Sequence, residues 1–420
     1  MLDRQTIDRT LERFSGEAVE FLCEMIRHPS TRGNEGPVNR LIHQRLGTLC
    51  DQAQLMPIPE AFKDHPRYSW PIPALSYEGI HNVRCTVNGT GPDDARSVIL
   101  NAHSDVVPPS KNQVNPFTPR VKDGIVFGRG ACDDKGQIAV MYLALRALKD
   151  LGMVPQGNIT IDIVVEEENG GNGTLYATLH PLKADAAIVM EPTEMAIFPS
   201  VRGAVWFELN CFGRPGHSGR ASDVVSALKE AVKGIQVLEE YHDQLLAASR
   251  GKNPLFDQYE NPMPVTFGIM SAGDWPATAP ATATLKGVFG FLPNSTVKSV
   301  QQGMMDALRN SEHKWLSENS ELRFNMLNNE GNETPVDHPL VQCLLQAASD
   351  AGVSSKVSAM TAACDAWRYN NVLGIPTVVM GAGSLKYAHA NNEQIGVDEI
   401  VAMARTLLCF TDRWCGLRAA

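Results

Sequence analysis

The 420-residue chain has no apolar run approaching the roughly 20 residues that a membrane-spanning helix needs. It has no Lys/Arg-rich run either, and 47 acidic residues outnumber 37 basic ones, for a formal charge of −10. Nucleic acid is disfavoured as a partner, because phosphate binding draws on clustered cations. No Cys-x-x-Cys pair occurs. The nine cysteines (Cys23, Cys50, Cys85, Cys132, Cys211, Cys343, Cys364, Cys409 and Cys415) stand singly. An odd, scattered set offers neither a disulfide framework nor a thiolate zinc site, and reads as reduced thiols. Residues 1–21 are charged and amphipathic and lack the uninterrupted apolar stretch of a secretory signal. These absences predict a cytoplasmic protein with no membrane and no nucleic-acid partner.

What is present points to two packed domains. Hydrophobic residues make up 43% of the chain, and 420 residues exceed what one ordinary core organises. Helical spacing predicts helices over residues 3–28, 37–49 and 135–151, the first stopped by Pro29. Short apolar strands are predicted over 83–87, 97–102, 159–165 and 186–190, with a hairpin arm over 121–127. Strands alternating with helices imply a largely parallel, buried sheet, whose active site lies at the carboxyl ends of its strands. From residue 202 the pattern changes. A strand (205–212), a helix (221–241), two strands (264–270 and 281–289), a helix (297–311) and a closing strand near 322–326 suggest a ferredoxin-like α+β sandwich. Helix, strand and helix then return over 340–351, 377–380 and 398–415. The expected division is a discontinuous catalytic domain, 1–201 and 331–420, with an inserted lid and dimerisation domain, 202–330.

Five segments carry chemistry. In NAHSDVVP (101–108), His103 can bind a metal while Asp105 accepts its other ring N–H, although a lone His-x-Asp is also a common structural pair. In GRGACDDKGQIA (128–139), two carboxylates stand behind glycines at a helix start, where Asp133 or Asp134 could equally be an N-cap. VVEEENGGNG (164–173) ends an apolar strand on three glutamates. A cation would relieve their repulsion, and a solvated turn is the plainer reading. VMEPTE (189–194) brings Glu191 to another strand end, and KYAHANNEQ (386–394) brings His389 behind a glycine-rich loop. Two histidines and three carboxylates at strand ends of one sheet form a hard N/O donor set suited to Zn, Mn or Co. One carboxylate can bridge two such cations.

Taken in order, HSD, GRGACDDKG, EEENGGNG, EPT, GRPGHS and YAH make the chain resemble the M20 metallopeptidase family of deacylases, desuccinylases and carboxypeptidases. The resemblance implies two divalent metals. Asp133 would bridge them, and the peptide after it would be cis. His103 and Glu191 would hold one metal; Glu168 and His389 would hold the other. Asp105 would orient His103, and Glu167 would be the general base. His217, in GRPGHS, would stabilise the oxyanion, often from the partner subunit of a homodimer. Two substrate-binding positions depart from the pattern. Ala277 stands where a lid Asn is expected, and Gly290 where an Arg is expected. Arg202, Arg368 and Lys386 are the candidate partners for a substrate carboxylate, chosen by charge and nearness to the motifs.

The reaction so implied is hydrolysis of the amide of a small N-acylated amino acid. Two rivals stand beside it. The same site could deaminate or deformylate an electron-poor aromatic or heterocyclic amine. Alternatively, the chain could be a binding or regulatory protein with a retained metal site.

Overall fold

The structure is a computed structural model that describes residues 3–70, 75–180, 182–217, 219 and 221–420. Its larger sheet has nine strands. In spatial order these are Gln52–Pro57, His81–Val87, Ile159–Val164, Val98–His103, Ala187–Val189, Thr377–Val379, Ile197–Val201 and Asn332–Glu333, with Val357–Met360 also pairing to Ile197–Val201. The four central strands, from Ile159–Val164 to Thr377–Val379, run parallel. The flanking pairs are mostly antiparallel.

Both faces of the central strands are buried, because successive side chains point to opposite sides. Ile159, Ile161, Ile163, Leu100 and Ile188 join a core with the helices Arg4–Ile26, Lys135–Asp150, Pro339–Asp350 and Val397–Trp414. Ile99, Ala187 and Val189 face the other way, into a cluster with Met360, Tyr369 and Val379. The Asp3 carboxylate accepts from Thr6 N at 3.0 Å and caps the first helix.

The strand alternation also places Asp162 inside, where it forms a two-pronged pair with Arg84 (Nε–Oδ1 2.6 Å, Nη2–Oδ2 2.8 Å). Arg84 Nη1 donates further to His180 O at 2.7 Å. Arg84→Ala would leave a carboxylate unpaired in the sheet. It is expected to cost about 3–5 kcal/mol, read as a lowered denaturation midpoint. An unchanged midpoint would contradict this reading of the pair.

The second sheet is antiparallel, in the order Val265–Ala272, Thr282–Phe291, Gly203–Phe212, Ser320–Arg323, with Asn328–Asn329 also on Gly203–Phe212. Helices Ala227–Ser249 and Val297–Arg309 pack on it through Leu238 and Met304 against Phe207, Leu209, Leu285 and Phe289. This β-α-β-β-α-β chain order, with the first strand inside the sheet, is the expected ferredoxin-like arrangement.

Several element boundaries differ from the sequence reading. The helix expected from 221 starts at Ala227 and runs to Ser249; Ala221–Asp223 is a separate 3-10 turn, and Val225 beyond it bridges to Arg214. The arm expected over 121–127 is two strands, Arg120–Lys122 and Ile125–Phe127, turned at Asp123–Gly124 with φ of 52° and 74°. Gln52–Pro57, Ile197–Val201 and Val357–Met360 are strands that the sequence reading did not foresee.

Candidate metal centre

Parallel strands deliver their carboxyl ends to one edge, and the candidate residues collect there. His103 is the last residue of Val98–His103, and Glu167 and Glu168 follow Ile159–Val164. Glu191 lies two residues beyond Ala187–Val189, and His389 is in the loop after Thr377–Val379. Two donor groups result: His103, Asp133, Asp134 and Glu191 in one, and Asp133, Glu168 and His389 in the other. Within each, the ligand atoms lie within 4.8 Å of one another, and Asp133 belongs to both. Its Oδ1 is 3.0 Å from His103 Nε2, and its Oδ2 is 3.3 Å from His389 Nε2. His389 Nε2 is also 2.9 Å from Glu168 Oε1. The peptide between Asp133 and Asp134 is cis, as the resemblance implied.

Asp105 lies beyond the end of the strand, and its task is broader than orienting one imidazole. Its backbone oxygen accepts from His103 Nδ1 at 3.1 Å, while its carboxylate is 3.4 Å from the same nitrogen. The carboxylate oxygens accept from Glu167 N at 3.1 Å and Glu168 N at 3.2 Å. One buried acid therefore ties the histidine to the glutamate loop. The third glutamate turns away: Glu166, at φ 60°, accepts from Arg32 Nε and Tyr77 OH, each at 2.5 Å. The run of three is neither a solvated turn nor a triple ligand, because its first member is an internal anchor.

Asp134 does not cap its helix with its side chain. Its Oδ2 accepts from His103 N at 3.0 Å, and its Oδ1 has no hydrogen-bond partner among the described residues. Glu393 was not singled out from sequence. It accepts from Asp133 N and Cys132 N, both at 3.1 Å, and pairs with Arg129 at 2.5 Å. Arg129 in turn donates to His389 O at 3.4 Å, so this pair fixes both ends of the second donor group. A buried ion pair assembled from distant residues leaves no local signal. Only the place of Glu393 four residues after His389 hinted at it.

Electrostatics show that the donors fit cations. Burial, reinforced by Asp134 and Asp133, holds the Glu191 carboxyl well above its ordinary range. Burial and Asp365 do the same for Glu167, and burial with Asp133 lifts Glu168 to about 7. Asp133 moves down despite its burial, because His103 and His389 hydrogen-bond it. His389 is raised to about 10 by Asp133 and Glu168. Five carboxylates (Asp133, Asp134, Glu167, Glu168, Glu191) against two imidazoles, with a buried oxygen lacking a partner, is an acidic excess that divalent cations relieve.

Comparison with known proteins agrees with this geometry. Residues 99–413 match the profile of peptidase family M20/M25/M40. The chain belongs to that family. It is a metal-dependent amidohydrolase of the M20 type. It is similar to an N-formyl-4-amino-5-aminomethyl-2-methylpyrimidine deformylase of Bacillus subtilis, at 28% identity over 81% of this chain and 84% of that protein. It is 24% identical to an acetylornithine deacetylase of Proteus mirabilis, over 90% of this chain and 91% of the relative. In fold it resembles a dipeptidase of Saccharomyces cerevisiae with a TM-score of 0.78, at 14% identity over 98% of each chain.

The remaining candidates of this M20 protein are dispersed. His217 is exposed on a short pairing with Thr278, and its Nδ1 accepts from Gly219 N at 3.1 Å. Ser218 and Arg220 of its GRPGHSGR segment lie outside the described residues. Arg202 donates to the carbonyls of Thr361 and of Gly203, the latter at 3.1 Å, and burial lowers it to about 10. Arg368 is buried beside Asp365, 3.5 Å away, and donates to Gly170 O at 3.1 Å. Lys386 is exposed over the Tyr387 ring.

Proposed function

We propose that the chain uses two divalent cations, Zn, Mn or Co, to hydrolyse the amide of a small N-acylated amino acid. His103 and Glu191 would hold one, Glu168 and His389 the other, with Asp133 between them. The observation that carries this reading is the membership of Asp133 in both donor groups. When bound, the cations supply a polarised carbonyl and a water acidified towards a pKa of about 7. Glu167 stands outside both donor groups and takes a proton from the attacking water, then passes it to the leaving nitrogen. Burial and Asp365 raise its pKa, which makes it a stronger proton acceptor than an ordinary carboxylate. Asp105 holds the Glu167 backbone in place. Intact donors and an intact Glu167 argue against a purely binding role.

Arg202 is the best-supported partner for a substrate carboxylate. It has no carboxylate partner among the described residues, and a Cβ at Gly290 would lie 3.0 Å from its Nη1. The guanidinium therefore borders the space at 290 together with the Met263 carbonyl, whose carbon and oxygen a Cβ there would meet at 2.7 and 2.8 Å. Buried Arg368 is a second candidate, and exposed Lys386 has less support. The deformylation alternative is favoured by one observation, the 28% identity to a deformylase. A panel of N-acetyl amino acids and N-formylated aryl amines, offered to the Mn- and Zn-loaded protein, separates the readings. Release of amine from the first class supports the main reading, release only from the second supports the alternative, and release from neither overturns both.

We further propose the division at 201/202 and 330/331, a cytoplasmic location in keeping with nine free thiols, and a homodimer built through the inserted domain. Val265–Ala272 is an edge strand with Ile269 59% exposed, and Leu228 and Val232 on the neighbouring helix are also exposed. An edge strand of this kind pairs with its own copy across a two-fold axis. His217 would then enter the partner's site to stabilise the oxyanion. Ile269→Asp is expected to give monomers by sedimentation and to lose activity. Mixing inactive Glu167→Ala and His217→Ala chains is expected to restore up to half of the activity per mixed dimer. No recovery despite demonstrated exchange would mean that His217 does not act across the interface.

A further inference from the structure

A cleft of about 840 Å³ opens between residues 63–70 and 367–372 on one side and 297–330 of the inserted domain on the other. None of the proposed metal ligands lines it. Its walls carry four aromatic rings, Tyr68, Trp70, Phe324 and Trp367, and two guanidinium groups, Arg67 and Arg368. Trp70 is 40% exposed and meets Tyr68 edge-on, with centroids 4.8 Å apart. The Trp367 ring lies 4.6 Å from the Arg368 guanidinium.

Arg368 has the unmet need. Its side chain is only 2% exposed, and Nη2 donates to Gly170 O, but Nε and Nη1 have no hydrogen-bond partner among the described residues. Asp365 Oδ1 faces Nε at 3.5 Å, while its other oxygen accepts from the Thr174 hydroxyl, so Nη1 is the donor that remains open. Buried donors left open in this way are costly unless an acceptor arrives, and a guanidinium fork suits a carboxylate. Of the acids on the rim, Asp64 is exposed, and Glu330 accepts from Val297 N at 2.9 Å.

The cleft is mechanically tied to the glutamate loop. Asn172 clamps Ser69 from both sides, accepting from Ser69 N at 3.0 Å and donating to Ser69 O at 3.1 Å. The Tyr77 hydroxyl, 3.0 Å from that of Tyr68, donates to Glu166, next to the proposed base. Gly170, which receives Arg368, belongs to the same loop. A group seated in the cleft therefore touches side chains anchored to the segment that carries Glu167 and Glu168.

We propose that this cleft is a recognition subsite for a planar aromatic or heteroaromatic group bearing a carboxylate. The ring would lie among Trp70, Phe324 and Trp367, and the carboxylate would meet Arg368 and Arg67. The proposal rests on the amidohydrolase reading only for what happens afterwards, since the subsite is defined by binding. It predicts that the substrate carries an aromatic ring together with a carboxylate, as N-acetyl-L-tryptophan does.

The test is calorimetric binding of N-acetyl-L-tryptophan, its carboxamide and N-acetyl-L-alanine to the Mn-loaded protein. N-acetyl-L-tryptophan is expected to bind about tenfold or more tighter than either comparator. Trp70→Ala and Arg67→Ala, both at exposed positions, are expected to remove that preference, and Arg368→Lys to weaken the acid more than the amide. Equal binding of acid and amide, no binding, or a preference that survives in the Trp70 and Arg67 variants would overturn the subsite. Amine release is measured on the same samples. Trp70-dependent binding without any release would count against the N-acyl amino acid reading and leave the subsite standing. Release that ignores Trp70 and Arg67 would do the reverse.

Discussion

Glu167→Ala is expected to keep its full complement of metal while kcat falls by about 10²–10⁴-fold, the range that a positioned general base contributes. The separation follows from geometry. Glu167 lies in neither donor group, whereas Glu168, its neighbour, lies 2.9 Å from His389. Backbone N–H groups of both residues rest on the same Asp105 carboxylate, so shortening the Glu167 side chain leaves the peptide that places Glu168 intact. Metal analysis by emission spectroscopy and steady-state turnover on one preparation check this. Loss of metal in step with activity would assign Glu167 to the metal rather than to the proton, and wild-type turnover would remove it from the mechanism.

Asp133→Ala is expected to lose both metals together, while His103→Ala weakens one site preferentially. Asp133 offers one oxygen to each donor group, so its removal takes a ligand from both and the shared negative charge between two cations. The consequence extends to stability. A ligand that binds only the folded state stabilises it by about 2.7 kcal/mol at a hundredfold excess over Kd. Added Mn²⁺ should therefore raise the melting temperature of the wild type but not that of Asp133→Ala. The sign of the pH dependence is also set. Glu191 and Glu167 are raised above the ordinary 4.5 when no cation is present. The metal-free fold then binds protons more tightly than the unfolded chain, and these two groups cost stability as pH climbs above 4.5. Metal should remove that decline, so its stabilising effect grows with pH. A fully loaded Asp133→Ala protein would refute the bridge.

Much of the site was legible because it lies at strand ends of a parallel sheet. His103, Glu168 and Glu191 each follow an apolar run short enough to recognise, and the run itself says where the side chain is delivered. His389 follows the 377–380 strand in the same way. Other parts were hidden for physical reasons. The anchors of the site, Arg32 on Glu166, Arg129 on Glu393 and Asp134 on the His103 amide, join residues 31 to 264 positions apart, and no local pattern reports a pairing across such separations. Asp105 was read as a partner for His103 alone, because strand alternation says nothing of backbone amides 62 and 63 positions along the chain. The edge strand Gln52–Pro57 escaped notice because a half-exposed edge lacks the dense apolar signal of central strands, and Val357–Met360, though mostly buried, is only four residues long with Ser358 and Ala359 at its centre. The ferredoxin-like insertion was easier, since its strands and helices alternate with a clear change of period. The cleft beside it was invisible, for its walls come from three separated stretches of chain.

The most direct test of the central claim is a titration. Chelated protein receives Mn²⁺ in steps, and amine release from a saturating N-acetyl amino acid is recorded at each step. If two cations share Asp133 and serve one amide-cleaving site, activity is absent at zero metal and reaches its plateau at two equivalents per chain. A plateau at one equivalent, or turnover that is indifferent to metal, would contradict the account.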